Sequence, residues 1–218
     1  MISIIIPCRD EEKNIGDLIK EIKRNFNLFF EIIVVDNNSI DKTALIARKK
    51  GARVIREKTQ GKGRAMIKGA QRAKGDILVF IDGDGSYNPK FIFQLIFPII
   101  KNKKDLVYGS RFLWGSNPEI SFLRLLGNKL FSFLGNFLYQ KKFDFLTGLL
   151  AIKKDKFLEL NLKSIGFEIE TEIFTRAIKK EFKIEQVPVC YKKNKHSKIN
   201  PLFDGFKIFF TLLKNKAC

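Results

Sequence analysis

Histidine and cysteine are scarce in this chain. His196 is the only histidine among 218 residues, and the three cysteines, Cys8, Cys190 and Cys218, are scattered. Neither a zinc spacing nor a disulfide framework is present, which fits a reducing compartment. Acidic residues are outnumbered, with 23 Asp and Glu against 41 Lys and Arg, for a net charge of +18. That excess admits three classes of partner: nucleic acid, an anionic membrane surface or a phosphorylated substrate. Tryptophan (one) and tyrosine (four) are few, whereas phenylalanine reaches 22. Long apolar runs are missing too. Residues 91–100 are too short for the ~18–20 residues of a membrane span, and residues 121–139 are interrupted by Arg124 and Lys129, so no integral span is expected. The start, "MISIIIPCRDEE", has no basic leader region and no small-residue cleavage site, so no signal peptide is expected. With no Pro-, Gly- or Ser-rich linker, no internal repeat and no low-complexity segment, one domain is expected.

What is there alternates. "ISIIIP", "EIIVVD", "ARVIRE", "DILVFID" and "DLVYGSRF" read as strands. Between them lie segments with helical spacing, "EEKNIGDLIKEIKRN", "DKTALIARKK", "KGRAMIKGAQRAK" and "NPKFIFQLIFPII". This order predicts an α/β fold, a mostly parallel sheet with helices on both faces. Ligands of such sheets bind at the carboxyl ends of the strands. Asp10 to Glu12, Asp36, Asp82 with Asp84, and Arg111 should therefore converge on one edge. The second half is less regular. Residues 121–139 read as a helix, "FDFLTGLLAIKK" as an extended segment, "GFEIETEIFTRAIKK" as a helix, "FKIEQVPVCY" as a strand and "PLFDGFKIFFTLLKNK" as an amphipathic helix.

Asp82-Gly83-Asp84 follows a buried-looking strand. Alternate residues of an extended turn point two carboxylates the same way, and hard oxygen ligands suit Mg²⁺ or Mn²⁺ on a diphosphate. Glycines at 83 and 85 would let the backbone approach a ligand. The competing reading is a polar turn, since DG and NP are ordinary turn dipeptides. Asp36 at a strand tip suits a base N–H or a ribose hydroxyl, while Ser39 or Asp41 suits a helix cap. The glycines around Lys62, with Arg64 next, suggest either phosphate contact at a helix start or a solvated loop.

"SIIIPCRDEEKNI", "EIIVVDNNSIDKT", "GKGRAMIKGA", "GDILVFIDGDGSYNP" and "DLVYGSRF" together resemble, in order and spacing, the family 2 glycosyltransferases with a GT-A fold. The likeness covers essentially the whole chain. "GNKLFSFLGNFLY", "DFLTGLLAIKK" and "EQVPVCYKKNKHSKINPLFDGFKIF" are similar to the archaeal-type branch that glycosylates dolichyl or other polyprenyl phosphates. The resemblance implies a nucleotide-sugar-binding half, residues 1–112, and an acceptor-binding half, residues 113–218. It makes Pro7, Arg9 and Glu11 the wall of the nucleotide pocket and Asp36 the nucleobase contact. Asn38, Lys62, Arg64 and Gly83 join the expected nucleoside-diphosphate-sugar contacts, and Asp82 and Asp84 become the pair that holds a divalent metal. Two departures stand out. The strand-end pair is often Asp-Asp and is here Asp36-Asn37. The glutamine that mannosyl relatives often carry after the metal pair is here Ser86, which leaves the sugar open.

A phosphate acceptor suits the basic residues. Arg111 ends the fifth strand, and Arg124, Asn128, Ser132 and Asn136 make a polar stripe on an otherwise apolar helix. Guanidinium groups match a phosphate monoester. Arg111, Arg124, Asn128 and Lys198 are the expected acceptor-phosphate contacts. Asp84, Arg111 and Glu170 are the expected catalytic residues. An ionised phosphate needs no general base, whereas a glycan hydroxyl acceptor would need one, from Glu168, Glu170, Glu172 or Asp144. The basic, Phe-rich C-terminal helix suits a membrane interface, giving a peripheral enzyme on the cytoplasmic face. A nucleic-acid-binding reading is weaker, because most phenylalanines fall on core positions rather than between exposed basic residues.

Overall fold

The computed structural model describes residues 1–26, 29–113, 122–192, 198 and 200–217, and within these the side chains of 122–125, 201 and 217 are left aside. The strands are β1 (Ile2–Cys8), β2 (Phe30–Asp36), β3 (Arg53–Arg56), β4 (Ile77–Ile81), β5 (Leu106–Ser110), β6 (Leu149–Lys153) and β7 (Ile184–Pro188). The helices are α1 (Ile15–Asn25), α2 (Thr43–Lys49), α3 (Lys62–Arg72), α4 (Ile92–Lys101), α5 (Phe122–Tyr139), α6 (Lys154–Glu159), α7 (Ile169–Lys179) and α8 (Pro201–Ala217). A short 3₁₀ turn, Pro89–Phe91, leads into α4, with the Asn88 side chain capping it.

The seven strands form one sheet in the order β3-β2-β1-β4-β6-β5-β7. Side chains alternate across it, as a two-residue period demands. Ile2, Ile4 and Ile6 of β1 face one core, with Ile15, Ile19 and Ile22 of α1 and Leu95, Ile96 and Ile99 of α4. Ile5 faces the other core, with Met66 and Ala70 of α3 and Ile173 and Phe174 of α7. Both faces are covered, so the strands read as continuous apolar runs rather than alternating ones.

β6 departs from the expected simple alternation. It inserts between β4 and β5 and runs antiparallel to both. All the other pairings are parallel. The reversal has a consequence for the edge where β1, β2, β4 and β5 end. β6 begins there, so Thr147 and Gly148, which precede it, arrive beside the tip of β4. The Asp82 N–H donates to the Gly148 carbonyl at 3.2 Å.

Candidate active site

Acidic tips gather at that edge around one buried amine. Lys62 opens α3, and its Nζ lies 2.6 Å from Asp82 Oδ1 and 2.6 Å from Glu170 Oε1. Glu170 reaches it from the first turn of α7. Burial alone would lower the lysine pKa, but the two carboxylates outweigh it and push it up. Burial also pushes Asp82 up, to about 6; Lys62 opposes this, and neighbouring Asp84 and Glu170 add to it. Asp82, Asp84 and Glu170 thus bring three carboxylates to the neighbourhood of the Lys62 ammonium.

Backbone geometry explains why these residue types are needed. A Cβ on Gly148 would overlap the Asp82 carboxylate, so only glycine lets β6 begin here. Gly148 N–H in turn donates to Tyr87 Oη at 3.1 Å, and Tyr87 shares a hydrogen bond with Thr147 Oγ1 at 3.1 Å. Asp84 Oδ1 accepts from Ser86 N–H at 2.9 Å, which steers the carboxylate. Gly83 and Gly85 were expected to admit a ligand. Gly83 packs on Cys8 Sγ, while Gly85 takes a positive φ of 74° with open space where its side chain would be. The glycines beside Lys62 also serve packing. Gly61 and Gly63 lie against the backbone of Ile165 and Ser164, a close backbone crossing.

The first two strand tips form the neighbouring wall. Asp36 is buried, and its Oδ1 accepts from Ser39 N–H at 3.1 Å. Asn38 has a positive φ of 62° in that turn. Asp41, rather than Ser39, serves the start of α2, accepting from Thr43 N–H at 2.9 Å. Pro7 lies within β1, paired with Val35. Arg9 is exposed beside Asp10, and Arg64 is exposed on α3. Lys198 is a correction. Expected at the acceptor phosphate, it instead crosses back to β1, where Nζ meets Glu11 Oε1 at 2.5 Å and the carbonyls of Arg9 and Asp10. The buried Glu11 carboxylate supplies the charge that draws it there.

Arg111 is buried at the end of β5. Its N–H donates to Asp144 Oδ2 at 3.0 Å, its guanidinium to the Leu146 carbonyl, and its head lies 5.1 Å from the Tyr191 ring centre. The backbone after β7 crosses at this point, with Tyr191 bridging Tyr87 and Lys192 N–H donating to the Ser86 carbonyl at 2.9 Å. Thr147 and Gly148 had no signal in the sequence, because only the reversed strand brings them here.

Each carboxylate weighed as a base makes a hydrogen bond or ion pair, while Glu168 Oε2 and Asp144 Oδ1 are buried without a hydrogen bond among the described residues. Glu168 accepts from Ile165 and Gly166 N–H, Glu172 from Lys163 and Ser164 N–H, and Glu170 is held by Lys62. Asp144, pushed up chiefly by burial, supports Arg111. Of the polar stripe on α5, Asn128 is half-buried, and Asn136 Oδ1 accepts from Phe143 N–H at 2.9 Å, closing the turn after the helix. The Arg124 side chain and His196 lie outside the described residues.

A largely parallel sheet whose acidic tips collect at one edge around a buried lysine defines a GT-A glycosyltransferase. The chain belongs to glycosyl transferase family 2, whose pattern it matches over residues 3–160. It is 31% identical to the dolichol-phosphate mannosyltransferase of Pyrococcus furiosus, over 98% of this chain and 64% of that protein. It is 30% identical to the UDP-N-acetylglucosamine--dolichyl-phosphate N-acetylglucosaminyltransferase of Methanococcus voltae, over 99% of this chain and 96% of that protein. Among solved structures it matches Mycobacterium tuberculosis glucosyl-3-phosphoglycerate synthase in complex with Mn²⁺, UDP-glucose and phosphoglyceric acid. The TM-score is 0.81 at 22% identity, over all of this chain and 80% of that one, a likeness of fold.

Proposed function

We propose that the enzyme moves a sugar, with inversion, from a nucleoside-diphosphate sugar to a polyprenyl phosphate of the dolichyl type. The observation that carries the donor half is the Lys62 ammonium held between Asp82 and Glu170, beside Asp84. The acceptor follows the two archaeal relatives, which are named for transfer to dolichyl phosphate. Residues 1–112 bind the donor, along Pro7, Arg9, Glu11, Asp36, Asn38 and Arg64. Residues 113–218 serve the acceptor, through Arg124 and Asn128, with Arg111 at the seam.

Asp82 and Asp84 offer hard oxygens that fit Mg²⁺ or Mn²⁺, a cation that binds through one or two carboxylates plus substrate phosphates. Asp82 shares its charge with Lys62, and Asp84 Oδ1 accepts from Ser86 N–H, so both carboxylates are oriented by this chain's own groups. When bound, the cation offsets charge on the departing diphosphate. The chain's own groups do the rest. Lys62 sets a fixed positive charge beside the diphosphate, and Glu170 holds that ammonium in place. Glu170 thus acts through Lys62 rather than as a base. Arg111 keeps its charge at any working pH and draws the acceptor phosphate toward the anomeric carbon. A phosphate oxygen is already ionised near neutrality, so no proton needs removal. The glycan-hydroxyl reading would require a carboxylate base.

The acceptor's lipid explains an inverted helix. On α5, Leu126, Leu130, Phe133 and Phe137 face outward, with Phe137 73% exposed, while Asn128, Ser132 and Asn136 are partly covered. A surface helix in water normally does the reverse. α8 docks through Leu212 and the Asn215–Thr175 hydrogen bond, yet leaves Leu202, Phe203, Phe206 and Phe210 outward. Among the described residues no helix is long and apolar enough to cross a membrane. This joint face lies on a lipid surface, with the net positive charge adding attraction to anionic headgroups. Incubation with sugar nucleotides, Mg²⁺ or Mn²⁺ and dolichyl phosphate should yield a sugar-phosphate lipid by mass, and Asp84→Ala should abolish it. Transfer by that variant at near wild-type rate would remove Asp84 from the site.

A further inference from the structure

The strand-end pair of this chain is Asp36-Asn37, and the amide of Asn37 has a job that a carboxylate could not do. Asn37 is 4% exposed. Its Nδ2 donates to the Thr59 carbonyl at 2.7 Å and, at the 3.5 Å limit, to that of Glu57. Its Oδ1 accepts from Gly61 N–H at 2.7 Å. Its own backbone N–H is fixed on the Cys8 carbonyl at 2.7 Å. One planar head therefore needs a donor on one side and an acceptor on the other, which a carboxamide has and an ionised carboxylate lacks. Aspartate would set an anionic oxygen against the Thr59 carbonyl.

The clamped turn leads directly into Lys62. Gly61, with φ of 145°, is the residue before it, and on its far side it abuts the backbone of Ile165. The Arg64 N–H donates to that same Ile165 carbonyl at 3.2 Å. Lys62 thus emerges from a turn braced by Asn37 on one side and by the loop ahead of α7 on the other. Lysine has a long, rotamer-rich stem, so holding its ammonium between Asp82 and Glu170 depends on where that stem begins. We propose that Asn37 is a positioning residue of the donor site, acting through Lys62. The role rests on the reading of Lys62 as a donor contact.

The test is nucleotide binding by calorimetry, using UDP or GDP with Mn²⁺, whichever the wild-type chain binds more tightly. Asn37→Asp should weaken binding about tenfold, the scale of one lost buried hydrogen bond with a repulsive oxygen in its place. Asn37→Ala, which removes the clamp without adding charge, should weaken it less. In a Lys62→Met background either change should cost less than about twofold more, because the group it acts through is gone. Thermal melts establish that each variant is folded. Losses that multiply in full with Lys62→Met would overturn the positioning role, since a general structural defect would behave that way. Unaltered binding by both Asn37 variants would overturn it as well. A Lys62→Met chain that binds as tightly as wild type would instead sink the donor role of Lys62, and the proposal with it.

Discussion

The narrowest constraint in the site is an atom that is absent. Gly148 has no Cβ, and the Asp82 carboxylate fills that space. Gly148→Ala should push Asp82 off Lys62, with a cost to stability of about 1–3 kcal/mol, the range for overpacking a filled site. Denaturant unfolding measures the stability cost. Transfer should fall more than about tenfold, because 1.4 kcal/mol of lost alignment is a factor of ten. Full activity in that variant would mean that Asp82 works elsewhere. The sequence carried part of this. The Asp82-Gly83-Asp84 pattern, Lys62 and Asp36 are strand-end or helix-start residues, so a pattern of strands and helices is enough to place them at one edge of the sheet. The contact between Gly148 and Tyr87 was not legible, because it joins residues 61 apart in sequence, just ahead of reversed β6 and just after β4. Lys198 was misplaced because a lysine-rich loop says nothing about which carboxylate it will meet, and Glu11 was the one.

At the scale of elements, the reversed strand is the feature that alternation could not forecast. Residues 143–154 read as extended, but an apolar run has no direction, and insertion between β4 and β5 is decided by pairing partners distant in sequence. The end of the sheet away from the site shows what holds that insertion. Asp105, just ahead of β5, meets Lys153 Nζ of β6 at 2.8 Å and accepts from Lys183 N–H, just ahead of β7, at 3.0 Å. These hydrogen bonds, with the neighbouring Lys153 charge, outweigh the effect of burial and hold the Asp105 pKa below its ordinary value. The unfolded chain then binds the proton more readily than the folded one. The stabilisation is fully present above about pH 4, the unperturbed value, and is lost as pH falls through the lowered folded value. Asp105→Asn should therefore cost about 1 kcal/mol at pH 7 and progressively less below about pH 4. Urea unfolding at a series of pH values checks this, and a penalty that grows toward acid pH would contradict the assignment.

For the molecule as a whole, the question is where it works. The outward faces of α5 and α8 join an exposed aromatic surface to a strongly basic chain. Glu substitutions at both Phe206 and Phe210 should reduce co-sedimentation with vesicles containing anionic lipid at least about fivefold, by setting charge in place of buried aromatic area. Wild-type binding should weaken with salt, as surface electrostatics require. Retention of the double variant on vesicles would mean that the exposed face meets something other than lipid. The central claim is narrower, and mass analysis of the lipid tests it. After incubation with a sugar nucleotide, Mn²⁺ and dolichyl phosphate, the lipid should gain the mass of one sugar with the wild-type chain and none with Asp84→Ala. Sugar found only on a glycan hydroxyl, with the lipid phosphate unchanged across the donor panel, would contradict the account.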